Sequence, residues 1–191
     1  MVGYPDSRDI PLDLHPLVLL SIKQSLHNHS LFSIFYHIDL KSRGGYTALA
    51  LESIALGMEQ AHLRDVTLPD RGFVKGELLQ DFINQYLGNR SIESLPIRFA
   101  AVATDLQSGE FMVFNHGNTG MAVRASSAIP GIFQPVRIGG RDYVDGSLLS
   151  PVPVHVAQKM KPDIIIAVDV SRDPESLVEI KDTFDVLAQT I

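Results

Sequence analysis

The chain has 191 residues, 45% of them hydrophobic and 20% charged, a composition that fits one globular domain with a substantial core. Its formal charge of −6, with no run of lysine and arginine, argues against nucleic-acid binding, and the lack of cysteine excludes disulfides and thiolate chemistry. The longest apolar stretch near the start, Leu17 to Ile22, falls far short of the roughly 20 residues of a membrane span, and Asp6, Arg8, Asp9 and Asp13 occupy the place of a signal-peptide core.

From residue 1 to about 43 the sequence reads as irregular, with His15, His27, His29 and His37, scattered serines, and an apolar block LFSIFY at Leu31 to Tyr36. Its character changes at Gly44 and Gly45. A helical stretch around Leu49 to Leu63 ends before Pro69, and a second helix from Gly76 to Leu87 is closed by Gly88. In that second helix Leu78, Leu79, Phe82, Ile83 and Tyr86 share a face, which reads as core. The run IRFAAVAT, Ile97 to Thr104, is rich in apolar and branched residues and predicts a strand buried on both faces. The turn DLQSGE leads into a second strand, Phe111 to Phe114.

A helix capped by Asn118 or Thr119 is terminated by Pro130, and its small residues Ala122, Ala125, Ser126, Ser127 and Ala128 permit close packing. A hairpin follows through Gly139 and Gly140, so that Tyr143 and Val144 end a strand immediately before Asp145 and Gly146. After Pro151 and Pro153 comes a short helix, and then DIIIAVDV, Asp163 to Val170, with the composition of a central parallel strand. The final SLVEIKDTFDVLAQTI reads as an amphipathic helix. Strands alternating with helices predict an α/β layered fold.

GFVKGELL at Gly72, LPIRFAAVATDLQSGE at Leu95, AVRASSAIPGIFQPV at Ala122, YVDGSLLSPVPV at Tyr143 and IIIAVDVS at Ile164 occur in an order that closely resembles bacterial patatin-like phospholipases. GYTALALESIAL, from Gly45, resembles the helix that follows the nucleophile region of that family. The resemblance implies a three-layer α/β/α fold with a mostly parallel central sheet. It also implies two parts: an atypical segment 1 to 44 without family motifs, and a partial patatin-like domain at 45 to 191, incomplete on its N-terminal side. The implied chemistry is hydrolysis of phospholipid or lysophospholipid esters, without a cofactor. A serine in a G-x-S-x-G elbow attacks the ester, and the aspartate of a D-G-[GA] motif is its base.

The resemblance assigns that base to Asp145, with Gly146 and Ser147 completing the motif; serine stands where glycine or alanine is usual. The carboxylate must come within about 3 Å of the serine hydroxyl, in partly apolar surroundings that raise its proton affinity. An Asp-Gly pair by itself is more often a turn aspartate bonding its own backbone; the flanking blocks reverse that balance. Asp105 and Asp169 read as framework carboxylates, Ser126 and Ser127 as packing residues, and His155 as a surface histidine at a helix start. His27, His29, His37 and Asp39 match no common metal-ligand spacing, and no metal is expected.

The sequence contains neither a G-x-S-x-G elbow nor a glycine-rich oxyanion loop. Ser33 stands near the place of the nucleophile, but Leu31 and Phe35 replace the glycines that a strained elbow needs. Losing an oxyanion donor costs roughly 100-fold in rate. Three readings follow: an acyl hydrolase of lipids with Asp145 as base, a non-catalytic relative serving as a binding module, and an unrelated α/β hydrolase using Ser126 or Ser127. The chain reads as shortened at both ends, with open strand edges that favour self-association. The expected location is the cytoplasm or a peripheral membrane surface, with lipid contact allowed.

Overall fold

The computed structural model describes residues 17–20, 65–68, 70–95 and 98–169. The expected helix at 49–63, the apolar block at 31–36, Ile97 and the C-terminal helix lie outside these residues, as do Ser33, His27, His29, His37 and Asp39.

Helix α1 (Glu77–Tyr86) starts where the sequence places it, at Gly76, whose φ of 76° is left-handed. Its first turn is capped from a distance: the Asp65 carboxylate accepts from the backbone N–H of Gly76 at 2.6 Å and of Glu77 at 2.7 Å. These are donors that a helix cannot satisfy internally. Leu79, Ile83 and Leu87 are buried, with Phe82 and Tyr86 packed beside them. Leu78, expected on the same face, is 42% exposed, because it lies at the margin of the stripe that Leu79, Ile83 and Tyr86 define.

Helix α2 (Thr119–Ser126) is capped by Asn118, whose side-chain oxygen accepts from Met121 N–H at 2.7 Å. It crosses α1 at Gly120, where a Cβ would fall 2.3 Å from the Gln80 carbonyl oxygen. The two helix backbones could not approach so closely with any larger residue.

Four strands form one antiparallel sheet in the order β3-β2-β5-β4: β2 (Ala101–Asp105), β3 (Phe111–Phe114), β4 (Val136–Ile138) and β5 (Arg141–Asp145). All five residues of β2 are buried. The β4-β5 hairpin turns through Gly139 and Gly140, at φ 59° and 85°, as the sequence predicts. Ala125 and Ala128 pack with Ala103, Val136 and Tyr143, so the small residues of α2 lay it close on the sheet.

A second pairing is parallel: β1 (Leu17–Leu20) lies beside β6 (Ile165–Val168), with Leu17 opposite Ile165. The short helix α3 (Val154–Lys159) contacts both strands. Among the described residues, no helix is long and apolar enough to cross a membrane.

The α/β class agrees with the sequence, and three details differ. The segment before Gly44 was expected to be irregular, yet it contains β1; a short leucine-rich run in a parallel pair shows no alternation to reveal it. The four-stranded sheet is antiparallel throughout, because branched apolar composition signals burial and not strand direction. Ile164 and Ile166 are 41% and 39% exposed, so β6 is not covered on both faces as its composition led one to expect.

Candidate active site

Asp145 is the last residue of β5, and the sheet runs out around it. β4 pairs with β5 only as far as Tyr143, opposite Val136. The Asp145 N–H instead donates to the Ala128 carbonyl, at 2.9 Å, in the segment leaving α2. Its own carbonyl accepts from the Thr104 hydroxyl at 2.9 Å. Gly146 then presses on β2: a Cβ there would lie 2.2 Å from the Val102 carbonyl oxygen. The glycine of the Asp-Gly pair is therefore demanded by a close approach of two backbones.

The side chain turns onto the 3₁₀ turn Gly146–Leu148, where Oδ1 accepts from Ser147 N–H at 2.8 Å. To that extent the bland expectation of a turn aspartate is met. Oδ2 is different: it is buried and has no hydrogen-bond partner among the described residues. The whole residue is 1% exposed. Burial pushes the carboxyl up from its ordinary 3.8 to about 6, against the opposing pull of the Ser147 N–H and hydroxyl, which favour the charged form. A carboxylate with that affinity is largely ionised at neutral pH and is a stronger base than a solvated aspartate.

Asp105 is held quite differently. Arg141 pairs with one of its oxygens, and the other accepts from Gln107 N–H at 2.8 Å and Ser108 N–H at 3.3 Å. The Arg141 guanidinium lowers its proton affinity, so it remains a charged cap on the β2-β3 turn. Asp169 is exposed beyond β6. Ser126 and Ser127 are both buried in the end of α2, and the Ser127 hydroxyl donates to the Val123 carbonyl at 2.9 Å. His155 is exposed in the first turn of α3, its ring edge-on to Phe111 at 5.1 Å. None of these takes part in the hydrogen bonds around Asp145.

No local sequence signal marks Thr104, Ala128 or Val102 as neighbours that hold this aspartate. Thr104 lies inside a strand-like run, and nothing in its spacing links it to a residue three strands later in the chain. Leu148 and Leu149, just after the motif, are 41% and 48% exposed and put apolar surface beside it.

Residues 43–158 match the family model described as patatin-like phospholipase. Over 109 residues the chain is 37% identical to an uncharacterized NTE family protein of Mycobacterium tuberculosis, which takes in 57% of this chain and 30% of that protein. It is 30% identical over 121 residues to mouse patatin-like phospholipase domain-containing protein 7, covering 62% of this chain and 9% of the mouse protein. With lysophospholipase NTE1 of Debaryomyces hansenii the identity is 29% over 106 residues, covering 56% and 7%. The matched part spans 30% or less of the length of each of these relatives.

Proposed function

Because this chain belongs to the patatin-like phospholipase family, a family of lipid hydrolases, we propose that it carries the base half of a serine-aspartate site for lipid acyl esters, with Asp145 as the base. The observation that supports this most is the state of the Asp145 carboxylate. One oxygen is occupied by its own turn, while the other is buried and without a partner among the described residues. That is the arrangement a proton acceptor needs.

In this reading Oδ2 takes the proton of a serine hydroxyl as the serine oxygen attacks the ester carbonyl. The same proton then passes to the oxygen of the departing alcohol or lysolipid. Water, deprotonated by the same carboxylate, attacks the acyl-enzyme and releases the fatty acid, and the proton passes from the carboxyl to the departing serine oxygen. Phospholipids or lysophospholipids are the proposed substrates, in line with the name of the Debaryomyces relative, a lysophospholipase. The exposed Leu148 and Leu149 offer contact for an acyl chain or a lipid surface. The three-layer, mostly parallel arrangement belongs to this reading; the parallel β1-β6 pair supports it, with one of its two strands, β1, lying before residue 45.

A second reading, a non-catalytic relative acting as a binding module, is favoured by one observation: the sequence has no G-x-S-x-G. Grafting a nucleophile-bearing patatin-like N-terminal half onto residues 45 to 191 tests the base assignment. The graft is expected to hydrolyse a lysophospholipid, and Asp145→Asn to abolish that activity. A folded graft fully active with asparagine there rejects the assignment.

A further inference from the structure

The backbone of Asp145 is satisfied outside the sheet ladder, and this singles out a residue with no role so far. In an antiparallel pair, hydrogen-bonded and non-bonded positions alternate. The bond from Leu106 N–H to the Asp142 carbonyl, 2.9 Å, sets that alternation for β2 and β5, so Asp145, opposite Ala103, makes no backbone bond to β2. On its other side β4 has already ended. Both polar groups of its backbone are therefore left over at a buried position, where each needs a partner.

The Ala128 carbonyl takes the N–H. The carbonyl is taken by a side chain, the buried Thr104 hydroxyl. That carbonyl belongs to the peptide unit joining Asp145 to Gly146, and the far end of the unit rests on the Val102 carbonyl. Rotating this unit would carry Ser147 N–H away from Oδ1, since the N–H sits only one residue further on. The Thr104 hydroxyl thus fixes the plane on which the hydrogen bond from Ser147 N–H to the carboxylate depends.

We infer that Thr104 is a positioning residue for Asp145: its hydroxyl holds the Asp145-Gly146 peptide so that the carboxylate stays docked on Ser147 and presents its other oxygen. Its bearing on catalysis rests on the reading of Asp145 as the base. Among the described residues, no charged neighbour supplies this hold. Among the described residues, the ionisable groups on the elements packed around Asp145 are Asp105 on β2, Arg124 on α2, Arg137 on β4, and Arg141, Asp142 and Tyr143 on its own strand. The proton affinity of Asp145 is raised by burial and lowered by Ser147.

The test is NMR on the full 191-residue chain, following the Ser147 amide signal through a pH titration, with Asp145→Asn as the blank. In the wild type this signal moves as Asp145 titrates, because the amide donates to its carboxylate. Thr104→Val, which keeps the shape and removes the hydroxyl, is expected to cut that movement to less than about half. Thr104→Ser, which keeps the hydroxyl, is expected to preserve it. Full movement in a folded Thr104→Val protein overturns the inference. So does loss of the movement in Thr104→Ser, a variant that remains informative if the valine variant does not fold. Failure of the base reading would appear elsewhere, as esterase activity surviving Asp145→Asn in the graft, and would leave these amide signals unchanged.

Discussion

Gly146 lies against Val102 so closely that a Cβ would come within 2.2 Å of the Val102 carbonyl oxygen and 2.7 Å of its carbonyl carbon. The obstacle is backbone in the middle of a buried strand, which cannot swing aside as a side chain could. Gly146→Ala is therefore expected to destabilise the fold by at least about 2 kcal/mol, in the upper range for overpacking. Urea denaturation checks this, and a loss below about 0.5 kcal/mol, ordinary for a surface change, would contradict it.

Ser147→Ala keeps the backbone N–H on Asp145 and removes the hydroxyl. Both groups favour the charged carboxylate, so the variant is expected to titrate above the wild-type value of about 6. Carbon-13 NMR of labelled aspartate carboxyls measures it directly. A midpoint that stays in place or falls would show that the hydroxyl does not act on this group.

Asp145 also gives stability a pH dependence of unusual sign. Its affinity is higher in the folded state, about 6 against an ordinary 3.8, so between these values the folded chain binds more protons than the unfolded one. Stability from this group is fully present below about pH 4, declines as pH rises, and reaches its lowest level above pH 6. From pH 4.5 to 7.5 the decline amounts to about 2 kcal/mol. Asp145→Asn cannot ionise and is expected to lack this component. Denaturation of both proteins at the two pH values checks it; equal changes in the two would contradict a raised affinity.

With no elbow in its sequence, the isolated chain is expected not to label with a fluorophosphonate serine probe. Mass spectrometry of the treated protein decides the matter. Stoichiometric modification at Ser33, Ser126 or Ser127 would contradict the expectation; for Ser127 the hydroxyl is already committed to the Val123 carbonyl.

Local signals carried much of the fold. Glycines mark both ends of α1, Asn118 caps α2, and Gly139 with Gly140 makes the β4-β5 turn, because each acts through its own backbone conformation. Asp145 was singled out by the blocks around it, and the structure shows its burial. What depends on partners distant in sequence was not legible. β1 is defined by pairing with Ile165 to Val168, and the direction of β2 beside β5 follows from tertiary pairing that composition does not encode. Thr104 belongs to the same class: its hydroxyl matters only because β4 stops short and leaves the Asp145 carbonyl without a ladder partner.

Whether Asp145 accepts a proton is read from the pH profile of the grafted hydrolase. With Asp145 as base, kcat/KM for a lysophospholipid is expected to rise to half its plateau near pH 6, the affinity of the buried carboxyl, and Asp145→Asn to remove the activity across the whole range. An acid limb at the ordinary carboxylate value near 4, or a plateau that survives in Asp145→Asn, would contradict it.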